Sequence, residues 1–311
     1  MSARVLVLGG AGFLGSHLTE SLLQHGHAVR VFDRANADLR NIRGLKGDLV
    51  FHGGDFANAH DLEDALRGVS QIYHLVSTTI PSSSNENPVY DVETNLVPTV
   101  RLLDLACKSG ARRVVFLSSG GTVYGKPNTL PIPEDHPTRP MVSYGVVKVA
   151  IENYLRLFHH LHGLEYAILR LSNPYGPRQD PAGAQGAAAV FLGRALKNER
   201  ISIWGDGSVV RDYIHVKDAV AGILAAGLAT TPAQTLNIGS GQGTSLNELV
   251  QAIRTASGRE LPVDYTPGRP FDVPANVLDI ARAKASLGWE PKIPLAQGLK
   301  ETWDWLESRR V

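Results

Sequence analysis

A tyrosine and a lysine four residues apart, Tyr144 and Lys148, are the side chains of this sequence best suited to acid–base chemistry. On a helix this spacing puts both on one face, about one turn apart. A free phenol has a pKa of about 10, and lowering it by about three units means favouring the phenolate by about 4 kcal/mol. We expect the lysine to supply part of that. The same pair also occurs on ordinary helices, so its interpretation depends on the rest of the chain.

A helix is predicted for the segment that carries the pair. Pro140 precedes it, Ser143 is a candidate N-cap, and apolar residues recur at helical spacing as far as Gly163. The members of this apolar stripe are Val147, Ala150, Ile151, Tyr154, Leu155 and Phe158.

A glycine-rich turn near the N-terminus predicts a dinucleotide site. It follows the apolar strand 5–8 and opens a helix predicted over 13–25. Gly9 suits the tight turn, Gly12 the close approach of the backbone to a pyrophosphate, and Gly15 the packing of helix on strand. A glycine-rich turn without a ligand is the alternative, but it would not need an acid at the end of the next strand.

Asp33 is that acid, at the end of the strand predicted over 28–32. Its carboxylate would accept hydrogen bonds from the adenosine ribose and repel a 2′-phosphate, which favours NAD over NADP. Arg34 follows and could pair with such a phosphate. Asp55, after the next strand, is placed for the adenine amino group or caps a turn.

The composition indicates a compact protein with no large charged surface. The chain has 311 residues, 43% of them hydrophobic, and a net charge of +1. This charge gives no general attraction for nucleic acid or anionic membrane. Cys107 is the only cysteine, so no intrachain disulfide is possible, and no segment has the length of a membrane span. We expect a cytoplasmic protein without a metal site.

Strands alternate with helices as far as about Arg170, which predicts an α/β fold with a Rossmann-type doubly wound parallel sheet. Ligands of such folds bind beyond the carboxyl ends of the strands. After Arg170, prolines and glycines interrupt shorter elements. We therefore expect an NAD-binding domain over 1–170, with segments near 210–240 returning to it, and a smaller C-terminal α/β substrate-binding domain over 171–311.

Three motifs together, the glycine turn, Tyr144xxxLys148 and Arg211-Asp-Tyr-Ile-His-Val216, resemble the extended short-chain dehydrogenase/reductases. Within that family the chain is most similar to the NAD-dependent UDP-hexose 4-epimerases. The resemblance implies 4-epimerisation of a UDP-sugar through a transient 4-keto intermediate, in nucleotide-sugar metabolism or surface polysaccharide synthesis. It also implies a homodimer whose seam is formed by helices 89–109 and 143–161.

The resemblance implies a set of binding residues, each of which alone could be an ordinary surface or core residue. Arg211 and Arg269 would hold the diphosphate, and Trp204 would stack on uracil. The NAD site would comprise Gly9, Gly12, Phe13, Leu14, Gly15, Asp33, Arg34, Asp55, Phe56, Leu75, Ser77, Asn95, Ser118, Tyr144, Lys148 and Tyr175. The UDP-sugar site would comprise Asn173, Val190, Ile203, Trp204, Arg211, Asn237, Arg269, Asp272 and Asn276.

One departure from the family pattern concerns the catalytic hydroxyl. Such epimerases carry it at the third position of the run that here reads Ser118-Ser119-Gly120-Gly121-Thr122. Gly120 occupies that position. Either Thr122 or Ser119 replaces the hydroxyl, or the substrate or water does, or the enzyme has lost activity.

Three other functions remain open. A 4,6-dehydratase would carry an Asp-Glu pair where this chain has Gly121-Thr122, which disfavours it. A 4-reductase or oxidase would use the same Tyr/Lys machinery but would depend on free cofactor. An NAD-binding regulator would need the glycine turn without the catalytic pair.

The sugar's substituents are predicted from two segments. In the resembling epimerases the residue at the position of Asn276 is a gate, where a bulky tyrosine excludes N-acetyl groups. Asn276 is shorter and could hydrogen-bond an acetamido group, which predicts UDP-N-acetylhexosamines or their uronic acids as substrates. The hydroxyls of the loop 77–84 would suit a polar carbon 6 such as a carboxylate, although serines beside Pro81 are also common turn residues.

Overall fold

The computed structural model describes residues 4–183, 185–231, 233–268 and 273–309. The described residues form two compact units. The first unit lies within Met1–Val123, Thr138–Arg170 and Val220–Leu236, and the second within Tyr124–Pro137, Leu171–Ala219 and Asn237–Val311. The division differs from the predicted one in giving 124–137 to the second unit. That segment has no periodic pattern of its own, and Ile132 joins the second unit through a parallel bridge to Leu278.

Thirteen strands occur in the described residues. In chain order they are β1 Arg4–Leu8, β2 Val29–Asp33, β3 Leu49–Gly53, β4 Val69–His74, β5 Arg113–Ser119, β6 Glu165–Leu171, β7 Asn173–Tyr175, β8 Ile201–Trp204, β9 Val210–His215, β10 Ala233–Ile238, β11 Gly243–Ser245, β12 Val263–Thr266 and β13 Ala275–Asn276.

The α-helices of the described residues are α1 Phe13–Gln24, α2 Ala59–Leu66, α3 Pro88–Asp91, α4 Val97–Ser109, α5 Ser143–His162, α6 Ala187–Lys197, α7 Val216–Leu228, α8 Leu246–Ser257, α9 Ala281–Leu287 and α10 Leu295–Glu307. None of these helices combines the length and the apolar character that crossing a membrane requires.

A seven-stranded sheet has the order β10-β6-β5-β4-β1-β2-β3. Its pairs β5–β4, β4–β1, β1–β2 and β2–β3 are parallel. The order reverses at β1, which pairs with β2 on one side and β4 on the other. This reversal confirms the predicted doubly wound fold, and the carboxyl ends of β1 and β4 form the crevice in which such sheets bind ligands.

Alternating side chains of β1 face the two sides of this sheet, as the period of a strand requires. Leu6 and Leu8 pack into a core with residues of α2, α4 and α5, including Leu62, Leu102 and Val147. On the opposite side α7 approaches β4 so closely that a Cβ at Gly227 would overlap the Tyr73 hydroxyl. Both faces are therefore covered, and the apolar run of β1 is fully buried.

The helix predicted over 89–109 is interrupted. α3 ends at Asp91, a π-helical turn spans Val92–Leu96, and α4 continues from Val97. Pro98 has no N–H for the carbonyl one turn earlier, and its ring crowds that carbonyl, which favours the wider turn.

The second unit has a smaller mixed sheet around β9. β11 pairs with β9 antiparallel, whereas β13 and β7 pair with it in parallel. A separate parallel pair joins β12 to β8. Apolar residues of α6, α8 and α10, including Leu192, Leu249 and Trp303, pack into one core.

Candidate active site

The glycine turn lies at the carboxyl end of β1. Gly9 has φ +81°, a conformation that glycine adopts readily, and its N–H donates to the Phe32 carbonyl at 2.8 Å. A Cβ at Gly15 would overlap the Gly9 carbonyl oxygen, so only glycine allows α1 to approach the strand this closely. The turn thus has the predicted strand–turn–helix form.

Gly12 faces open space at the N-terminus of α1. It is exposed, and a Cβ there would meet only the Gly9 carbonyl oxygen, at 3.4 Å. No side chain caps the helix, so its first N–H groups lack a side-chain acceptor. Backbone N–H groups at a helix N-terminus beside an unfilled space form a cradle for phosphate. These residues therefore fit the pyrophosphate of NAD.

Asp33 ends β2 beside this turn. Its Oδ2 accepts a hydrogen bond from the Ala11 N–H at 3.1 Å, and its Oδ1 accepts one from the Arg34 N–H at 2.9 Å. A carboxylate has about four acceptor positions, so both oxygens can also accept ribose hydroxyls. The Arg34 side chain is exposed. The position of Asp33 agrees with a preference for NAD.

The other predicted adenine-side residues differ in what they can offer. Asp55 is exposed and its Oδ1 accepts from the Ala57 N–H at 2.9 Å, which is the turn-capping alternative. The Phe56 ring lies in the core against His74, with ring centroids 5.1 Å apart, so its backbone is the part left for a ligand. Phe13, Leu14 and Leu75 are partly exposed around the glycine turn.

Asn95 is buried, and its side chain binds the chain itself. Its Oδ1 accepts from the Thr78 N–H at 2.8 Å, and its Nδ2 donates to the Thr78 Oγ1 at 2.7 Å and to the Asp91 Oδ1 at 3.0 Å. Its observed role is therefore to hold the loop after β4. Ser118, predicted to contact NAD, is likewise engaged, since it donates to the Glu152 Oε1 at 2.7 Å.

The start of α5 is held by residues distant in sequence, and the predicted cap at Ser143 is wrong. Val142 is the N-cap residue and makes no capping side-chain bond. Instead the Tyr144 N–H donates to the Ser84 Oγ at 3.1 Å, and the Ser143 N–H to the Asn85 Oδ1 at 2.8 Å. The loop that follows β4 thus fixes the first turn of α5, where the tyrosine lies.

Lys148 lies one turn after Tyr144 on the same helix, as predicted. Its ammonium is 5.4 Å from the centre of the Tyr144 ring and 4.8 Å from that of Phe116, and it donates to the Leu117 carbonyl at 3.1 Å. Burial lowers the pKa of Lys148 to about 8, while the Asp91 and Glu152 carboxylates act in the opposite direction.

The pKa of Tyr144 is raised to about 12, not lowered as the sequence led us to expect. Burial is the largest cause, the Asp91 carboxylate adds to it, and a hydrogen bond with the Ser77 side chain opposes it. The chain's own residues therefore keep the phenol protonated. A positive charge brought close to this phenol would lower its pKa. The phenol could then exchange a proton with a bound alcohol.

A buried ion pair supports this helix face. Glu152, fully buried, accepts from Arg170 at both oxygens, with Nε–Oε1 3.1 Å and Nη2–Oε2 2.7 Å. Arg156 adds a contact to the Glu152 Oε2 at 3.3 Å. The negative charge of Glu152, one turn beyond Lys148, is thus offset by a guanidinium.

The run 118–122 forms a tight turn after β5, in which the N–H groups of Thr122 and Val123 donate to the Ser119 carbonyl. The Thr122 Oγ1 is buried and has no hydrogen-bond partner among the described residues. A Cβ at Gly145 would lie 2.9 Å from the Thr122 carbonyl oxygen, so Thr122 contacts the first turn of α5. Of the two candidate hydroxyls, that of Thr122 is buried without a partner, whereas Ser119 is partly exposed.

The predicted sugar-nucleotide residues belong to the second unit. Arg211 donates from Nη1 to the carbonyls of Val210 and Val273, at 2.9 and 2.7 Å, and Asn173 donates to the Asp212 carbonyl at 2.9 Å. Trp204 is 49% exposed at the end of β8, which suits a stacking surface. Val190 is partly buried against the core of this unit. Arg269 and Asp272 lie outside the described residues.

Three predicted ligand residues are instead part of the second unit's interior. Asn237 is fully buried: its Nδ2 donates to the Ile132 and Asp279 carbonyls, and its Oδ1 accepts from Tyr124 at 2.6 Å. Ile203 is 1% exposed, and so is Tyr175, whose ring packs on His215. These three side chains pack within the unit and stabilise its fold. Asn276, also 1% exposed, pairs in register with Arg211.

Asp91, Ser84 and Asn85 were not found from the sequence. Each acts on α5 from a loop or helix about sixty residues earlier, so no local spacing relates them to Tyr144. The one signal in the sequence was the group of hydroxyl residues in 77–84, whose predicted role was contact with the sugar.

Known proteins resemble the chain over almost its full length. The model of the NAD dependent epimerase/dehydratase family matches residues 5–239. A protein of Methanocaldococcus jannaschii named putative UDP-glucose 4-epimerase is 38% identical over 307 residues, covering 98% of both chains. The structure of a Thermotoga maritima UDP-glucose 4-epimerase with UDP-glucose has a TM-score of 0.92 and 36% identity, covering 98% of this chain and 99% of that one. A Thermus thermophilus UDP-glucose 4-epimerase in complex with NAD has a TM-score of 0.91 and 34% identity, with coverages of 98% and 99%.

Proposed function

Because the chain belongs to the NAD-dependent epimerase/dehydratase family, we propose that it is a UDP-sugar 4-epimerase that uses NAD. The observation that carries this proposal is the Tyr144–Lys148 pair at the start of α5, held by the loop after β4 in the same unit as the glycine turn. A binding protein without turnover would have no use for that arrangement.

The chain's residues have separate tasks in this reaction. Gly12 and the first N–H groups of α1 bind the pyrophosphate, and Asp33 binds the adenosine ribose. Tyr144 first gives up its own proton, which the positive charges of Lys148 and of the nicotinamide would favour. As a phenolate it then takes the proton of the sugar's 4-hydroxyl, and it later returns that proton. Held by these residues, NAD would supply the reversible hydride acceptance that inverting carbon 4 requires.

The proposal is tested with a panel of UDP-hexoses, UDP-N-acetylhexosamines and UDP-hexuronates, incubated with the purified protein and no added cofactor. We expect at least one to give its 4-epimer, resolved by chromatography. Conversion that occurs only with added NAD(P)H, and gives a reduced or oxidised sugar, would instead support a reductase or oxidase. An NAD-dependent gain in thermal stability without turnover of any sugar would support a regulator.

We propose that the Thr122 hydroxyl replaces the catalytic hydroxyl that is missing at Gly120. We expect Thr122→Val to lower kcat about a hundredfold and Ser119→Ala less than about tenfold, since only the former removes a positioned proton-relay hydroxyl. Because the Thr122 Oγ1 is buried without a partner, the isosteric valine should also leave the melting temperature unchanged or raise it. A larger loss in Ser119→Ala would assign the role to Ser119.

For the sugar, we propose that UDP-N-acetylhexosamines or their uronic acids are turned over at least as well as UDP-glucose, because Asn276 is short and carries an amide. Asn276→Tyr should then abolish the N-acetyl activity selectively, and Asn276→Ser, which stays small, should retain it. The measurement is the turnover rate of wild type and of both variants on UDP-glucose and on its N-acetylated counterpart. The assignment would be contradicted if the wild-type protein converted only UDP-glucose and UDP-galactose. It would also be contradicted if Asn276→Tyr kept its activity on N-acetylated substrates.

Fewer serine hydroxyls are available to contact a carboxylate at carbon 6 than the sequence suggested. The Ser83 Oγ contacts the Ile80 carbonyl at 3.4 Å, and the Ser84 Oγ donates to the Pro81 carbonyl at 3.3 Å. Of the three serines 82–84, Ser82 is the exposed one, and it is the one proposed to contact carbon 6.

A homodimer is part of the proposal. Apolar side chains are exposed on the two predicted seam helices, including Val89 at 64%, Leu161 at 59% and Val146 at 53%. Contact with a second copy would remove such side chains from water, each burial contributing about 1.5 kcal/mol or more.

A further inference from the structure

Asp91 is a buried carboxylate with no assigned role. It is the last residue of α3, directly before the π-helical turn, and is fully buried. Its Oδ1 accepts from the Thr79 Oγ1 at 2.6 Å and from the Asn95 Nδ2 at 3.0 Å, and its Oδ2 accepts from the Ser143 Oγ at 2.8 Å. Three side chains from three segments thus converge on it.

All three donors are neutral. No lysine, arginine or histidine of the described residues forms an ion pair with Asp91. Burying a carboxylate on neutral hydrogen bonds alone is costly unless an opposite charge lies nearby. Lys148 is 5% exposed and lies on α5, the same helix whose Ser143 donates to the Asp91 Oδ2, so it is the buried cation on the element that Asp91 contacts. The Asp91 carboxylate also opposes the effect of burial on the pKa of Lys148.

The charged and titratable groups that face Lys148 come from three elements. From α5 they are Tyr144 and Glu152, from α3 Asp91, and from β4 His74. Burial, with the Lys148 charge as a second cause, lowers the pKa of His74 to about 3, so that ring is neutral. The charge of Glu152 is offset by Arg170 at 2.7 Å. Among the described residues, Asp91 is therefore the anion near Lys148 that forms no ion pair with an arginine, a histidine or another lysine.

We infer that Asp91 is a positioning residue for the Tyr144–Lys148 pair: its carboxylate keeps Lys148 charged and fixes, through Ser143, the turn that carries the phenol. The inference rests on the proposed function for its catalytic consequence. It concerns the pair directly, however, and can be tested without turnover.

Hydrogen bonds connect Asp91 to both ends of the tyrosine. Ser143, whose hydroxyl donates to Asp91, directly precedes Tyr144. Asn95 joins Asp91 to Thr78, next to Ser77, whose side chain acts to lower the pKa of the phenol. The carboxylate therefore couples the backbone of Tyr144 to the hydrogen bond of its side chain. A change at Asp91 should alter the ionisation of the pair before it alters the fold.

Asp91→Asn tests the charge. The amide can still accept from Thr79, and the Ser143 hydroxyl can rotate to accept from the amide, so hydrogen bonding is largely kept. Removing a negative charge near Lys148 favours its neutral form. The ammonium should therefore be lost at a lower pH, by about one pH unit, in protein with and without NAD. The readout is the ¹³Cε shift of Lys148 across a pH series, assigned with Lys148→Met.

The same variant should shift the pH profile of kcat. Loss of the Asp91 charge lowers the pKa of both Lys148 and Tyr144, so both limbs move to lower pH. Thr79→Val is the matched control, because it removes one hydrogen bond to Asp91 and keeps the charge. It should leave the Lys148 titration within about 0.3 pH unit of wild type.

An unchanged Lys148 titration in folded Asp91→Asn would overturn the inference, as would an equal shift in Thr79→Val. Circular dichroism melts establish folding. If the asparagine variant does not fold, Asp91→Ser, which leaves room for water among the three donors, must show the same downward shift. A wild type that converts no UDP-sugar would refute the proposed function, while the Lys148 titration would still decide the role of Asp91.

Discussion

Tyr144→Phe should lower kcat by at least about a hundredfold, with folding and NAD binding intact. The substitution removes the hydroxyl that we propose exchanges the proton of the sugar's 4-hydroxyl, and a positioned proton-transfer group contributes about 10² to 10⁴ to the rate. The ring remains, so its contact with the Lys148 ammonium, 5.4 Å from the ring centre, is kept. Turnover of the best UDP-sugar and the bound NAD per chain are the measurements.

Tyr154→Phe is the matched control on the same helix. Tyr154 is 36% exposed and lies about three turns after Tyr144 on α5, so the loss of its hydroxyl should leave kcat within about twofold of wild type. Near-normal turnover in Tyr144→Phe would remove the tyrosine from the chemistry. Loss of bound NAD in that variant would mean that the phenol holds the cofactor instead.

Gly12→Val should weaken NAD binding at least about a hundredfold without disturbing the fold. Gly12 has φ −72° and ψ −173°, a conformation open to any residue, and a Cβ there meets only the Gly9 carbonyl oxygen at an ordinary contact of 3.4 Å. The added side chain would occupy the space next to the first N–H groups of α1. Losing two hydrogen bonds to a charged group, each about 1.5 kcal/mol or more, weakens NAD binding at least about a hundredfold.

Two other glycines define the limits of this test. A Cβ at Gly44 meets no atom within 4 Å, so Gly44→Val should retain NAD. A Cβ at Gly15 would overlap the Gly9 carbonyl oxygen, so Gly15→Ala should perturb the turn itself and lower the melting temperature. Isothermal titration with NAD and thermal melts separate the three outcomes. Unchanged NAD affinity in Gly12→Val would place the pyrophosphate elsewhere.

The features that could be read from the sequence are those whose physical cause is local. Each of them depends on a backbone requirement or a periodicity within a few residues. They are the glycine turn from Gly9 to Gly15, the acid at Asp33 and the spacing of Tyr144 and Lys148. The doubly wound sheet follows from the alternation of such segments. These features are found where the sequence placed them.

The features that were missed depend on contacts between distant segments. Ser143 looked like a cap, but its hydroxyl donates to Asp91, 52 residues earlier. Asn237 looked like a ligand residue, but Tyr124 and the Ile132 carbonyl bury and satisfy it. The pKa of Tyr144 was expected to fall, yet burial raises it. Desolvation depends on everything packed around a group, and no spacing along the chain encodes it.

The most direct test of the central claim is the fate of the hydrogen at carbon 4. The protein, with no added cofactor, is given its best UDP-hexose carrying deuterium at carbon 4, and the 4-epimer is isolated and analysed by mass spectrometry. If the hydride leaves and returns within one binding event, with Tyr144 exchanging only the hydroxyl proton, the product retains the deuterium at carbon 4, also when unlabelled NADH is present. Loss of the label to solvent or to free NADH, or a product formed only when nicotinamide cofactor is added, would contradict 4-epimerisation on tightly held NAD.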